Sequence, residues 1–225
     1  MTKTKRALLF AIFMVVITGI FTLLVMTVDV QAVGPLGTKV GFASLNKAFF
    51  DTFGQNDIFY KISEWVGYLS LTMAASFAMI GLIQLIKGKS FKKVSLSIYA
   101  LGALYLILFI LYVLFLKVIV INYRPVLEAG ALESSFPSSH TILACTIMGS
   151  TYIMLGRVFK KEHAVRIGLR IGCVALLVIM VVSRLFSGVH WFTDVIGSVI
   201  YSAALLSIFQ WLLAMVDSVI KKPKH

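Results

Sequence analysis

Long apolar stretches decide the fold, and the first of them is ALLFAIFMVVITGIFTLLVMTV, residues 7–28. No charged side chain occurs in it, and none occurs in residues 65–86 or 94–116. Each stretch can cross a hydrocarbon core of ~30 Å, which takes about 20 helical residues. Further apolar runs at 141–155, 167–182 and 195–216 raise the predicted number of spanning helices to six. Arg170 interrupts the fifth run, but its long side chain can reach the near interface.

The composition excludes an ordinary soluble domain. Hydrophobic residues make up 60% of the 225 positions and charged residues only 13%, too few for the surface of a soluble protein of this length. Cys145 and Cys173 both fall inside predicted spans, where they are expected to act as small apolar residues rather than as a disulfide or a metal site. We therefore predict an all-α, polytopic membrane protein that forms one domain over residues 1–225.

The net charge of +12 invites a nucleic-acid interpretation, but the positions of the charges favour a membrane topology. Lys and Arg concentrate near both ends and in the segments 87–93 and 157–170, whereas the intervening loops are close to neutral. The positive-inside rule then predicts a multi-pass protein of the cell membrane with both termini in the cytoplasm. Contact with anionic lipid headgroups accounts for the basic segments, and no nucleic-acid partner is expected.

The start of the chain has some features of a signal peptide. Basic residues at Lys3, Lys5 and Arg6 precede the apolar run, and Val30-Gln-Ala32 resembles a cleavage site. The run from Ala7 to Val28 is longer than the ~7–15 residues of a signal core, so a retained first helix is expected.

An amphipathic helix is predicted in the first outer loop, residues 29–64. Phe42, Leu45, Phe49 and Phe53 fall near one helical face. The remaining positions include Asn46, Lys47 and Asp51. This helix is expected to lie at the membrane interface. Simple packing on the bundle and a lip beside a lipid-access gap are both open as its role.

Ionisable and polar residues at the outer helix ends form three groups. Lys117 closes the third span and is followed by Arg124-Pro125; Pro137-Ser138-Ser139-His140 opens the fourth; and Ser183-Arg184, His190 and Asp194 lie between the fifth and the sixth. The predicted topology puts all three groups on the extracytoplasmic side. Distant parts of the sequence are therefore expected to meet at one membrane level.

The residue types in these groups suit a phosphate. Lys117, Arg124 and Arg184 supply three positive charges with no comparable cluster of carboxylates beside them, and guanidinium groups match phosphate oxygens. If residues 117–124 stay helical, the first two cations share a face about 10 Å apart. Ser138 and Ser139 add hydroxyls and free N–H groups at a helix N-terminus, which favours an anion.

Two histidines add the groups needed for phosphoryl transfer. On a helix, His190 and Asp194 are neighbours four residues apart, so the carboxylate can fix the imidazole tautomer and make the other ring nitrogen more nucleophilic. His140 is a second imidazole, suited to protonating a leaving oxygen.

The joint pattern Lys117-x6-Arg124-Pro125, Pro137-Ser138-Ser139-His140 and Ser183-Arg184-x5-His190-x3-Asp194 resembles the three-part signature of the type 2 phosphatidic acid phosphatase superfamily. The motifs cover residues 117–194, and the helix layout of the whole chain is similar to bacterial membrane-bound members. One departure is Ser139, which stands where the family usually has Gly, so the local fit to phosphate is expected to differ.

The resemblance implies a lipid phosphatase that uses no metal and no cofactor. His190 would attack phosphorus, Asp194 would orient it, and His140 would protonate the leaving group. The phosphoryl oxygens would be held by Lys117, Arg124, Arg184, Ser138 and Ser139. The substrate would be a lipid with a terminal phosphate, such as phosphatidate, phosphatidylglycerophosphate, a lysophospholipid or a polyprenyl diphosphate.

Two alternatives stay open. A lipid phosphotransferase of the same superfamily would pass the phosphoryl group to an acceptor other than water. A non-catalytic anion-binding or transport protein would carry charged residues deep inside its spans, whereas the charges here gather at one interface.

Overall fold

The computed structural model describes residues 1–128 and 130–220, and within them the chain is almost entirely helical. This described part contains no β-sheet, only three isolated bridges between loop residues. Two short 3₁₀ helices span Pro35–Gly37 and Phe91–Lys93. The seven α-helices are α1 Lys3–Thr27, α2 Ala43–Phe53, α3 Asp57–Gly88, α4 Leu96–Lys117, α5 Ser139–Val158, α6 His163–Phe186 and α7 Phe192–Ile220.

Six helices in the described part of the chain, all except α2, are long and apolar enough to cross a membrane. Helices suit this environment because they satisfy their backbone hydrogen bonds within the segment. The predicted all-α, six-span architecture is therefore confirmed. The helices reach beyond the apolar runs, and α3 does so most, since the Asn56 side chain caps it by accepting from the N–H groups of Ile58 and Phe59.

Contacts between helix ends show that the spans run up and down in alternation. At one end, Arg157 of α5 bonds to Asp217 of α7 at 2.8 Å and to Ser97 of α4 at 3.1 Å. At the other end, the N–H of Ser138 bonds to the carbonyl of Asp194, and the loop before α3 bonds to the carbonyl of Ser187. The three motif groups are therefore anchored at the same end of the bundle.

The centre of the bundle is α5, which has the largest buried fraction of the six long helices described. It packs against α3, α6 and α7, while α1 packs along α7. Small and hydroxyl side chains such as Ala144, Thr146 and Ser150 face these neighbours and let the helices approach closely. Cys145 and Cys173 are buried free thiols, as predicted.

The fourth helix is held less closely on one side. It packs mainly on α7 and has few contacts with α3 and α5. The side chains of α3, α4 and α5 that face one another at this junction are consequently only partly covered, and a groove separates them.

The predicted amphipathic helix is present as α2, and its apolar face contacts the bundle only in part. Leu45 and Phe53 are about half exposed, whereas Asn46 is completely buried. Asn46 faces the bundle because its amide bonds to the carbonyl of Gly41 and to the hydroxyl of Thr193. Hydrogen bonding of Asn46 to the start of α7 therefore helps to set the rotation of α2.

Packing against the bundle anchors α2 at the catalytic-motif end. Phe49 lies 6.0 Å from Phe186 and 5.2 Å from Phe192, measured between ring centroids. This contact matches the packing role that the sequence left open. The single domain over 1–225 stays a prediction, and its residues Lys221, Lys222 and Lys224 lie outside the described residues.

Candidate active site

The centre of the candidate site is His190, which lies in the tight loop between α6 and α7. Gly188 shapes this loop with a φ of 72°, and a Cβ placed there would lie 2.2 Å from the carbonyl oxygen of Gly54. Glycine is therefore required by both the backbone conformation and the close approach of the α2–α3 connection. This tight contact presents His190 to the inside of the bundle, where the residue is only 4% exposed.

A backbone carbonyl determines the tautomer of His190. Its Nδ1 lies 3.0 Å from the carbonyl oxygen of Ser135, and a carbonyl can only accept a hydrogen bond. The proton of the neutral ring therefore sits on Nδ1, and Nε2 carries the lone pair. That Nε2 atom is buried and has no hydrogen-bond partner among the described residues.

Burial also fixes the charge state of His190. It lowers the pKa of this imidazole well below the ordinary value, and the positive charges of Arg184 and Arg124 lower the pKa further. The ring is consequently neutral at physiological pH. A neutral imidazole with a free Nε2 lone pair is the form that attacks phosphorus.

Asp194 sits beside His190 in a different way from the one predicted. His190 precedes α7, so the two residues do not stack on one helix, and the Oδ2 of Asp194 lies 3.9 Å from the Nδ1 of His190. The nearer bond of that oxygen is to the N–H of Trp191 at 2.9 Å. The carboxylate therefore closes the first turn of α7 and holds the His190 loop while placing a negative charge close to the ring.

A buried polar network missed by the sequence analysis supports this carboxylate. Asn122 donates from Nδ2 to the Oδ1 of Asp194 at 3.1 Å, and its own oxygen accepts from the N–H of Gly41. Asn46 accepts from the N–H of Thr193 at 3.1 Å. Neither asparagine was predicted to join the site. Asn122 falls at a variable position between Lys117 and Arg124, Asn46 belongs to the predicted amphipathic helix, and both become important only through contacts with distant loops.

His140 has the opposite tautomer to His190. Its Nδ1 lies 3.0 Å from the Nη2 of Arg184, and a guanidinium can only donate. The Nε2 of His140 therefore carries the proton and faces the Oε1 of Glu64 at 3.0 Å. One histidine thus offers a lone pair and the other an N–H group, although their sequence contexts do not distinguish them.

Arg184 is completely buried and is held largely by α3, an element that contains no predicted site residue. Its Nη1 lies 2.9 Å from the hydroxyl of Ser63 and 3.4 Å from the Oε1 of Glu64, and the ring of Tyr60 lies under the guanidinium. The one sequence signal for this contact was the acidic Glu64 directly before an uncharged run of 22 residues, 65–86.

Carboxylates accompany two of the cations, whereas the sequence was expected to place no comparable cluster of carboxylates beside them. Arg124 is buried and pairs with Glu128 and, at 3.1 Å, with Glu133, both on the α4–α5 connection. Glu64 plays the same part for Arg184. The sequence hid this pairing because Glu128 and Glu133 lie on a loop whose path is set by tertiary contacts.

Lys117 stands apart from the other predicted site residues. The condition that residues 117–124 stay helical is not met, because α4 ends at Lys117. Its side chain is exposed, and no hydrogen bond or ion pair joins it to another residue of the described ranges. The geometry that was expected to pair it with Arg124 on one helical face is therefore absent.

Ser138 and Ser139 lie at the N-terminus of α5, beside His140. Ser138 is buried and accepts a hydrogen bond from the hydroxyl of Thr141, and its carbonyl accepts from Ser198. Ser139 is partly exposed and lines a small cavity together with Arg124. The first N–H groups of a helix have no partner within it, so the positive end of α5 points to the region between the cations.

An apolar groove leads from this region along the outside of the bundle. A cavity of about 150 Å³ is lined by Glu64, His140, Tyr68 and Tyr112. It shares Leu71, Tyr112 and Leu143 with a second cavity of about 250 Å³, which extends toward Tyr105 and Ile147 between α3, α4 and α5. Glu64 and His140 therefore lie at one end of an apolar groove on the side of the bundle.

Comparisons with known proteins agree with this description. Residues 119–216 match the model of the PAP2 superfamily, so the resemblance noted in the sequence motifs is confirmed. A search of curated proteins returned no match. A crystal structure described as the first transmembrane PAP2-type phosphatidylglycerolphosphate phosphatase from Bacillus subtilis aligns with a TM-score of 0.56 at 17% identity. The alignment covers 96% of this chain and 98% of that chain, which confirms the transmembrane fold.

The hydrogen bonds of Asp194 generate a prediction that separates its structural role from its electrostatic role. In Asp194→Asn, the new amide group meets the amide of Asn122, so one buried donor loses its acceptor, and the loss of stability should be about 1–3 kcal/mol. Adding Asn122→Asp restores an acceptor for that amide and for the N–H of Gly41. Thermal unfolding in detergent should therefore show a lowered midpoint for the single variant and recovery in the double variant.

If the wild type has phosphatase activity, that activity should not recover in the same double variant, because its negative charge has moved from position 194 to position 122. Full activity in the double variant would show that a carboxylate beside His190 is not needed. A midpoint no higher than that of Asp194→Asn would contradict the hydrogen-bond assignment.

Proposed function

We propose that this chain, whose residues 119–216 match the PAP2 superfamily, is an integral-membrane lipid phosphatase that removes a terminal phosphate through a phosphohistidine. The observation that carries the proposal is the buried, neutral His190, whose Nε2 lone pair has no hydrogen-bond partner in the described structure. The positive charges of Arg184 and Arg124 help to keep this ring neutral by lowering its pKa. A nitrogen in this state is a nucleophile held beside an anion-binding surface.

In the first step, the Nε2 of His190 attacks phosphorus and the bond to the leaving oxygen breaks. The new N–P bond makes the ring cationic, and its Nδ1–H remains bonded to the carbonyl of Ser135. Asp194, at 3.9 Å, stabilises that developing positive charge. To act as the acid, His140 must carry a proton on both ring nitrogens, so the substrate phosphate has to draw Arg184 away from its Nδ1. The imidazolium then gives its Nε2 proton to the leaving oxygen, and in the second step the neutral ring takes a proton from the water that releases phosphate.

The phosphoryl oxygens are bound by Arg124, Arg184 and the N-terminus of α5, with Ser138 and Ser139 at its first turn. Both guanidinium groups pair with carboxylates, so binding a phosphate would exchange one anionic partner for another. Positive charge fixed by the protein can stabilise the transferring group without a divalent metal. Lys117 is exposed and directly follows Leu116, which lines the small cavity that also contains Arg124 and Ser139, so its role would be to attract the anion from outside that cavity.

The apolar groove between α3, α4 and α5 supports a lipid as the substrate. Its upper end contains His140 and Glu64, and its lower part is lined by aliphatic and aromatic side chains. A tail lying there keeps its apolar surface in the hydrocarbon region while the phosphate reaches the cations. Phosphatidate, phosphatidylglycerophosphate and polyprenyl diphosphates all have this form.

The charge pattern supports an orientation in which the site faces away from the cytoplasm. The end of the bundle with Arg157 also carries the basic segments 87–93 and 157–170, and the opposite end carries the motifs. By the positive-inside rule, the basic end is cytoplasmic. The substrate phosphate would accordingly be hydrolysed at the outer surface of the membrane.

The first test is a lipid panel. Purified protein should release phosphate from at least one of phosphatidate, phosphatidylglycerophosphate, lysophosphatidate and a polyprenyl diphosphate, with nearly unchanged rates in EDTA. Vanadate should inhibit because it mimics the transferring phosphoryl group. Activity that requires added Mg²⁺ and disappears in chelator would contradict the mechanism.

The roles of the two histidines predict different results when the reaction with a lipid labelled on its terminal phosphate is quenched in alkaline detergent, which preserves an N–P bond. His190→Ala should abolish both turnover and the acid-labile, base-stable phosphoenzyme. His140→Ala should still form it, about 10²–10⁴-fold more slowly, because only a proton donor is lost. His163→Ala, at the start of α6, is the matched control and should behave as wild type. A phosphoenzyme that persists in His190→Ala would exclude this residue as the nucleophile.

The topology predicts opposite labelling of two introduced cysteines in intact cells. Gly130→Cys should react with an impermeant maleimide from outside, whereas Lys92→Cys should react only after the membrane is opened. The native Cys145 and Cys173 are buried and provide the unlabelled background. Labelling of both positions from the same side would refute the orientation.

A further inference from the structure

Glu64 is the acidic residue closest to His140, and no motif predicts a role for it. Its Oε1 accepts the Nε2–H of His140 at 3.0 Å and lies 3.4 Å from the Nη1 of Arg184. The side chain is about one-quarter exposed and lines the groove that leads away between α3, α4 and α5. It therefore stands between the two site residues and the proposed path of the lipid.

This location is the leaving-group side of the reaction. A phosphate bound by Arg184 and attacked by His190 must expel its leaving oxygen toward His140, and the lipid attached to that oxygen must extend into the groove. The leaving oxygen consequently arrives beside the carboxylate of Glu64.

We infer that Glu64 is a positioning residue that makes the site selective for lipid phosphate monoesters over lipid diphosphates. The inference rests on the proposed function, which leaves the substrate class open between these two. Two observations support the inference: Glu64 contacts both His140 and Arg184, and it lines the end of the groove nearest to them.

The first reason concerns the proton. The alcohol leaving group of a monoester is a poor anion and needs protonation as the O–P bond breaks. When a phosphate takes over the contacts of Arg184, the Nδ1 of His140 is free to take a proton from solvent, and the resulting imidazolium is stabilised by the carboxylate of Glu64. Its Nε2 proton then passes to the leaving oxygen, while the bond from phosphorus to His190 forms and the bond to that oxygen breaks.

The second reason concerns charge. A diphosphate expels a lipid monophosphate, which already carries negative charge and gains little from a proton donor. That anion would form next to the carboxylate of Glu64, and like charges at such a distance repel strongly where water is scarce. Both effects favour the monoester, so their factors multiply in the ratio of the two rate constants.

The test compares substrates with the same tail: farnesyl phosphate with farnesyl diphosphate, and phosphatidate with diacylglycerol diphosphate. For the wild type, kcat/KM should be higher for the monoester of each hydrolysed pair. Glu64→Gln removes the charge while keeping the size, and it should lower the monoester-to-diphosphate ratio by about 10-fold or more, part of the 10²–10⁴-fold range of general acid catalysis. Glu64→Asp should restore part of the ratio.

The ratio is insensitive to partial misfolding, because both substrates are measured on the same preparation. A purely structural role in holding Arg184 would slow both reactions equally. Glu162→Gln, an exposed carboxylate before α6 at the far end of the bundle, is the matched control and should leave the ratio unchanged. A ratio in Glu64→Gln within about two-fold of wild type, or a wild type that prefers the diphosphates, would overturn the inference but not the proposed phosphatase. A folded wild type that hydrolyses neither pair nor any lipid of the panel would overturn the proposed function, and the inference with it.

Discussion

The guanidinium of Arg184 lies inside the helix bundle with no exposure to solvent, and the arrangement around it depends on satisfying that charge. Leaving such a charge without partners is strongly destabilising, by about 3–5 kcal/mol when one member of a buried pair is removed. Ser63 and Glu64 from α3 and His140 from α5 supply the partners. Three helices must therefore meet at one level, and the same contacts determine which nitrogen of His140 carries its proton.

The surroundings of His190 are fixed by neutral polar groups. The carbonyl of Ser135 selects the tautomer, and the amides of Asn122 and Asn46 tie the loop of Asp194 to the segments before α2 and α5. Buried hydrogen bonds of this kind are directional, so they position side chains more narrowly than apolar contact does. The motif aspartate is consequently part of the scaffold as well as a charge beside the ring.

Charge balance connects the ligand-free site to the chemistry that we propose. Arg124 and Arg184 are each paired with glutamates, so the cations are kept in place inside an apolar bundle before any phosphate arrives. A bound phosphate competes for the same guanidinium hydrogens and releases the carboxylates to other roles. The glutamates therefore do not prevent anion binding. They stabilise the buried charges of Arg124 and Arg184 until a phosphate replaces them.

The sequence alone determined the number of spans, the end of the bundle at which the motifs gather and the residue types that meet there. Those features depend on local properties: the length of an apolar run, the spacing along one chain and the chemistry of each side chain. The loss of helix after Lys117, the burial of Asn46 and the pairing of Arg124 with Glu128 and Glu133 were not predictable in this way. Neither were the opposite tautomers of His140 and His190 nor the entry of Glu64 into the site. All of these features depend on which groups from distant segments come within hydrogen-bonding distance. The tertiary packing of the helices around the buried charge of Arg184 determines those distances, and the local sequence does not.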